Sequence, residues 1–320
     1  MKQFSLLLLV SLFGIQHASA STEKDTISRF TFQKLLLDDD DCDACGCSAN
    51  GGSMGFSSVF NNNFVGIRYF YQKYRSKDGI FNNSPWITEN FNTVQIWSRI
   101  PITERIQVAV LIPYHFHNRE LSAGNETIQG IGDVTLLANY VVYQTHKDST
   151  VFTHKWLVGT GFKAPTGKFD AENNKGTVNS SFQVGTGSWD YLITTEYVLK
   201  RKQLGWSSQL NYTFKTQNEK SYQFGNQFNY GTTFFYLLDW NKVKVVPQVG
   251  VAGEVYQENK QYNLVIPETA GDIFFSKFGI EIGKNDFSLG INALLPVNQN
   301  LSNKKVEAQY RWAVNLNYNL

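Results

Sequence analysis

The C-terminal stretch QYRWAVNLNYNL limits the fold more than any other part of the chain. Tyr310, Trp312, Val314, Leu316, Tyr318 and Leu320 fall on one parity. Arg311, Ala313, Asn315, Asn317 and Asn319 fall on the other. Successive side chains of a strand point to opposite faces, so this is a period-two strand with an apolar face and a wet face. Leu204–Lys215 repeats the pattern: Leu204, Trp206, Leu210, Tyr212 and Phe214 oppose Gly205, Ser207, Gln209, Asn211, Thr213 and Lys215. Twelve such segments are marked at 64–74, 91–100, 105–116, 132–143, 153–163, 188–200, 204–215, 222–238, 243–256, 271–283, 286–295 and 308–319. Strands of globular proteins average ~5–6 residues, whereas ~9–11 tilted residues cross a bilayer. Most of these segments have the membrane length, and no helical period of comparable extent competes.

Connection lengths point the same way. The links after the second, sixth, eighth and tenth segments are short (PITE, RKQ, LDWNK, GKN), and QTHKDSTVF after the fourth is moderate. Those after the first, third, fifth, ninth and eleventh read as longer and polar, with the link after the seventh as a short exception. Alternating short and long links in an even-stranded meander predict an all-β, transmembrane, antiparallel up-and-down β-barrel of about twelve strands, with both termini periplasmic. A secreted β-sandwich or jelly roll also alternates, but it does not account for strands this long or this ordering of loops. The last strand has the aromatic alternation common to outer-membrane barrels, yet ends on Leu320 where a Phe is usual.

The N-terminus reads as an export signal. Lys2 is a short positive region, Phe4–Ile15 is apolar, and Ala18-Ser19-Ala20 is a small-residue cleavage site. The apolar run is short of the ~20 residues a spanning helix needs. The expected organisation is a cleaved signal over 1–20, a periplasmic or plug segment over 21–60 and a barrel over 61–320, located in the outer membrane of a Gram-negative bacterium. Without Lys2 the chain has 28 basic residues (29 less one) against 27 acidic, so nothing favours nucleic acid as a partner. The expected partners are outer-membrane lipid, a small-molecule solute and, during biogenesis, the barrel-assembly machinery.

Three stretches carry a family resemblance. PITERIQVAVLIPY (Pro101–Tyr114) is similar to a turn leading into a strand that ends Pro-aromatic. GIGDVTLLANYVVY (Gly130–Tyr143) is similar to a Gly-x-Gly-Asp strand entry. GTGFKAPTGKFD with GTGSWD (Gly159–Asp170, Gly185–Asp190) is similar to a Pro-Thr-Gly loop followed by a Gly-Thr-Gly-Ser repeat. In this order, over 64–320, they resemble the MetA-pathway phenol-degradation family of outer-membrane proteins. The resemblance implies an outer-membrane β-barrel with a transport role and says little about its solute. The leading CDACGCSANGG segment resembles a variant of such barrels from Bacteroidetes.

That segment holds all three cysteines, Cys42, Cys45 and Cys47, behind Asp38–Asp41. Thiolates are soft ligands suited to Cu(I) or Zn(II), and C-x2-C lets two sulfurs reach one ion. No second pair follows, so a metal site would need completion from elsewhere. A disulfide with one thiol left over and a redox role stay open as alternatives. His115 and His117 share one strand face. Presumed lumen-facing charges are Arg68, Arg99, Lys215, Lys244, Lys277 and Arg311 against Glu196, Glu254 and Glu281, an excess of three basic groups. They fit either a weak anion preference or an ion-paired lumen. KAPTGK lacks the G-x4-G-K-[ST] spacing of a phosphate loop, and no G-x-S-x-G or H-E-x-x-H appears. The expected function is passive passage of small solutes, without catalysis. The alternative is a metal-handling barrel that delivers Cu or Zn from its CxxCxC segment.

Overall fold

A computed structural model describes residues 63–77, 83–121, 124–145, 151–174, 179–240 and 242–320. The cysteine cluster, the signal and the 21–60 segment lie outside these residues. Twelve long strands form the wall: β1 (Phe64–Lys77), β2 (Trp86–Pro101), β3 (Ile106–Leu121), β4 (Val134–Gln144), β5 (Thr153–Ala164), β6 (Asp190–Arg201), β7 (Leu204–Phe214), β8 (Gln227–Tyr236), β9 (Val243–Tyr256), β10 (Gly271–Lys284), β11 (Phe287–Leu301) and β12 (Val306–Asn319). Each pairs antiparallel with its neighbours in sequence. β1 closes on β12, with Phe64 opposite Asn319, so the sheet has no free edge. Closure is what lets strands cross lipid, because every backbone N–H and C=O finds a partner inside the sheet.

Alternation carries through to the two faces. Outward side chains such as Ile193, Leu210, Val249 and Ile291 are exposed and aliphatic near mid-strand. Exposed aromatic residues flank them: Trp86, Phe162, Trp189 and Phe214 at one end, Tyr140, Tyr236, Trp240 and Tyr318 at the other. An apolar band between aromatic girdles suits a bilayer, where ring systems sit at the headgroup level. The opposite parity points inward and is largely polar. Arg311, Asn315 and Asn317 of β12 are buried while Tyr310, Leu316 and Tyr318 are exposed.

Links at one end are short: 102–105, 202–203 and 285–286 each join two strands directly, and 145–152 and 237–242 are modest. β1 begins and β12 finishes at this turn end. The loop end carries 165–189, 215–226 and 257–270. Two links differ from the sequence reading. The link after β7 spans 215–226 and is not short, because Tyr222–Gln223 leaves the wall to pair with Lys260–Gln261, which pairs with Leu264–Val265 in a small separate sheet. The link after β11 is only 302–305, because β11 runs on to Leu301 and β12 starts at Val306. Ser302, Asn303 and Lys304 all take positive φ there, which closes the hairpin within four residues. Another strand went unread: Gly124–Ile131 pairs with the loop-end half of β3 before the chain enters β4.

Candidate functional site in the barrel interior

Loop 165–189 leaves between β5 and β6 and folds into the barrel. Phe182 is fully buried and meets the inner faces of β2 and β3, with ring centroids 6.0 Å from Phe91 and 6.3 Å from His117. Arg119 of β3 lies 4.2 Å over the Phe182 ring. Asn179 donates to Glu89 of β2 at 2.6 Å. Ser180 accepts from Asn259, which follows β9, at 2.8 Å. The loop's contacts thus reach from β2 on one side to the link after β9 on the other.

The anchor of the loop is a charged cluster. Asp133, fully buried between Gly124–Ile131 and β4, accepts from Gly167 N–H at 3.0 Å, Thr186 N–H at 2.8 Å and the Thr186 hydroxyl at 2.7 Å. Lys163 Nζ lies 3.0 Å from Asp133 and 2.7 Å from Asp190, and Lys215 Nζ lies 3.0 Å from Asp190. Ser188 donates to the other Asp190 oxygen at 3.0 Å. Both carboxylates are thus compensated, as buried charge requires. Two glycines make the approach possible. A Cβ on Gly185 would lie 2.4 Å from the Gly167 carbonyl carbon and 2.6 Å from Asp133 Oδ1, so neither loop strand could sit this close with a larger residue.

A second charged group lines the far wall. Arg311 of β12 grips Glu254 of β9 through two hydrogen bonds, of 2.6 and 3.0 Å. Arg311 also donates to the Tyr74 hydroxyl, Tyr256 donates to Glu254, and the guanidinium lies 4.4 Å over Phe275. A bidentate Arg–carboxylate pair fixes both planes, so it is rigid as well as neutral in sum.

The other expected interior residues are placed as follows. Arg68 and Arg99 are buried, Arg68 donating to Gln95 and lying 4.7 Å over Trp97. Lys277 is buried and donates to Thr233 at 3.0 Å; Glu196 and Glu281 are buried, and Lys244 is half-buried at the turn end. His115 and His117 are buried with ring centroids 4.9 Å apart; His115 Nδ1 is 2.8 Å from Thr93 Oγ1, and His117 Nδ1 accepts from Asn92 N–H at 3.1 Å. No group of three or more His, Cys, Asp or Glu that could hold a metal ion occurs among the described residues. Sequence reasoning missed Glu89, Arg119, Asp133, Lys155, Lys163 and Asp190, all buried. They add three groups to each sign, so the basic excess is unchanged. The signal for Asp133, Lys163 and Asp190 was present in the motifs GIGD, GFKAPTG and GTGSWD, which are far apart in sequence and meet at this one cluster.

The family model described as "Putative MetA-pathway of phenol degradation" matches residues 86–293. The chain belongs to this family. Among solved structures it is similar to the COG4313 outer membrane channel from Pseudomonas putida F1, with a TM-score of 0.61 and 13% identity over 81% of this chain and 95% of that one. Weaker likenesses include the β domain of the Bordetella autotransporter BrkA, with a TM-score of 0.48 and 10% identity over 81% of this chain and 100% of that one. The NanC porin gives 0.40 and 11% over 80% and 100%. No curated protein matches the sequence. Together with the apolar band and its girdles, the family and the fold identify an outer-membrane β-barrel.

Proposed function

We propose that the protein is a passive outer-membrane channel for small solutes, with its lumen constricted by loop 165–189 and with no catalytic step. One observation carries the reading. A long loop is held inside a closed barrel by hydrogen bonds and ion pairs to the inner wall, together with Phe182, which joins an apolar cluster that includes Phe91 and Phe275. A barrel serving only as an anchor has no need of a loop fixed across its interior, whereas a channel uses one to set the width of its passage. Loop lengths support an orientation with the turn end and both termini in the periplasm and the loop end outside. Membership of a family described by phenol degradation, and the likeness to a Pseudomonas outer-membrane channel, support a transport role for small, including aromatic, solutes.

The test is osmotic. Proteoliposomes placed in an isosmotic solute should swell faster than protein-free vesicles, and faster again with Gly185→Ala, which displaces the loop. If neither protein accelerates swelling for any solute of one-ring size, the channel reading is lost.

A further inference from the structure

The buried charges of the interior are not spread evenly along the barrel. In the loop-end half they balance. Lys163 and Lys215 match Asp133 and Asp190, and Arg311 matches Glu254. Arg119 lies 3.9 Å from Glu89 and 2.6 Å from Glu126. The basic excess therefore belongs to the other half. Arg99 stands two residues from the turn end of β2, Lys155 is the third residue of β5 and Arg68 the fifth of β1. Half-buried Lys244 is the second residue of β9. Lys277, at mid-strand on β10, reaches Thr233 near the turn end of β8. Against these five stand Glu196 of β6 and Glu281 of β10, the only buried carboxylates of this half among the described residues. Lys200, half-buried on the inward face of β6, adds to the surplus.

Pairing within this half cannot cancel the surplus, since five positive groups meet two negative ones. Arg68 donates to Gln95 and lies over the Trp97 ring, and neither contact removes its charge. The polar side chains buried around these groups, such as Gln95, Asn139, Ser207 and Asn317, are amides and hydroxyls.

We propose that the turn-end half of the lumen is an anion filter, which passes small monoanions (halide or carboxylate) in preference to cations of the same size. It rests on the channel reading, since a filter needs a passage. Twelve strands ~4.8 Å apart and tilted by ~40° close into a wall ~24 Å across. The charged heads extend inward from that wall. An ion on the axis is therefore within about one Debye length, ~8 Å at physiological salt, of the surplus charge. Fixed charge of one sign along a narrow passage focuses its field there and raises the local concentration of the opposite ion. Rings of Arg and Lys select anions in pores by this means. Here the groups come from β1, β2, β5, β9 and β10, so the field surrounds the passage and does not mark one wall. The loop would then restrict by width and the turn-end half by charge.

Reversal potentials of the full-length barrel test this, measured in multi-channel planar bilayers across an about tenfold gradient of potassium chloride and then of potassium acetate. The expected result is permeation of chloride, and of acetate, about threefold or more above potassium. At ~1 M salt, where the Debye length is ~3 Å, the ratio should approach one. Lys244→Glu and the double variant Arg68→Gln/Arg99→Gln each take two positive charges from the surplus, and each should lower the ratio by about half or more. Lys284→Gln removes an exposed charge from the outward face at the same end and should leave the ratio unchanged. Heat-modifiable gel mobility verifies folding, and half-buried Lys244 gives a usable variant if the double one does not fold. A native preference for potassium, no preference at low salt, or an unchanged ratio in a folded Lys244→Glu barrel would overturn the filter. A barrel that conducts both ions equally loses the filter alone. One that conducts neither loses the channel reading with it.

Discussion

At the scale of single residues, Lys163 is the most exposed to test. It bridges Asp133 and Asp190 at 3.0 and 2.7 Å inside the barrel. Removing one partner of a buried charged group costs about 3–5 kcal/mol, because the remaining charge stays desolvated. Lys163→Met should take that cost from loop docking first, since the wall has its own backbone ladder. Limited proteolysis within 165–189 should accelerate about a hundredfold or more while the barrel core stays resistant. An unchanged cleavage rate would mean the cluster does not hold the loop. Glu268 gives a pH-dependent counterpart at the loop end. Lys305, hydrogen-bonded to it at 2.5 Å, and then Asn303 at 2.8 Å hold its carboxyl below the usual carboxylate range. A depressed folded pKa stabilises above the unfolded value of ~4.3 and is lost as pH falls through the folded one. The contact between 257–270 and the 302–305 hairpin should therefore hold at neutral pH and loosen in acid. Hydrogen exchange of the Lys305 amide should show an acid step beyond its intrinsic change, and Glu268→Gln should remove that step.

At the scale of elements, the strands were legible and the loops were not. Period-two alternation is written residue by residue, so all twelve wall strands were read to within a few positions at most ends. The exceptions have two physical causes. Leu295–Leu301 and Val306–Ala308 extend a hairpin beyond the apolar band, where the outward face no longer has to be apolar and the alternation fades. Tyr222–Gln223 looked like the start of a wall strand because its local composition is strand-like, yet it pairs outside the wall. Gly124–Ile131 was hidden for the same reason as the β11 extension, since Asn125, Thr127 and Gln129 on its exposed face are polar. All nine expected inward charges share the inward parity of their strands, because parity fixes the face once the strand is known. The Asp133 cluster was not placed, because contact across a lumen leaves no trace in local spacing. Only the recurrence of Gly and Asp in three separate motifs hinted at it. The outward face makes its own prediction: Ile291→Arg, near mid-strand on β11, should destabilise the barrel by about 2–4 kcal/mol in chemical unfolding, whereas Ile102→Arg in the β2–β3 turn should cost about 0–1 kcal/mol. Equal effects would mean the apolar band is misplaced.

At the scale of the whole molecule, three features combine into one device. A closed wall of twelve antiparallel strands supplies a span without free edges. Its interior carries more basic than acidic groups, with Arg311 paired to Glu254 and two lysines to Asp133 and Asp190. A loop whose Gly167 and Thr186 N–H groups bond to Asp133 occupies the passage. Twelve strands lie between small filled barrels and open porins of 16–18 strands, so the loop and not the wall sets the width. Single-channel recording in a planar bilayer tests this most directly, comparing the native protein with a variant in which Asn179–Gln183 is replaced by two glycines. The account predicts small or intermittent conductance for the native barrel and a severalfold larger, steadier one for the variant. A folded, inserted variant with the same conductance as the native protein, or with none, would contradict it.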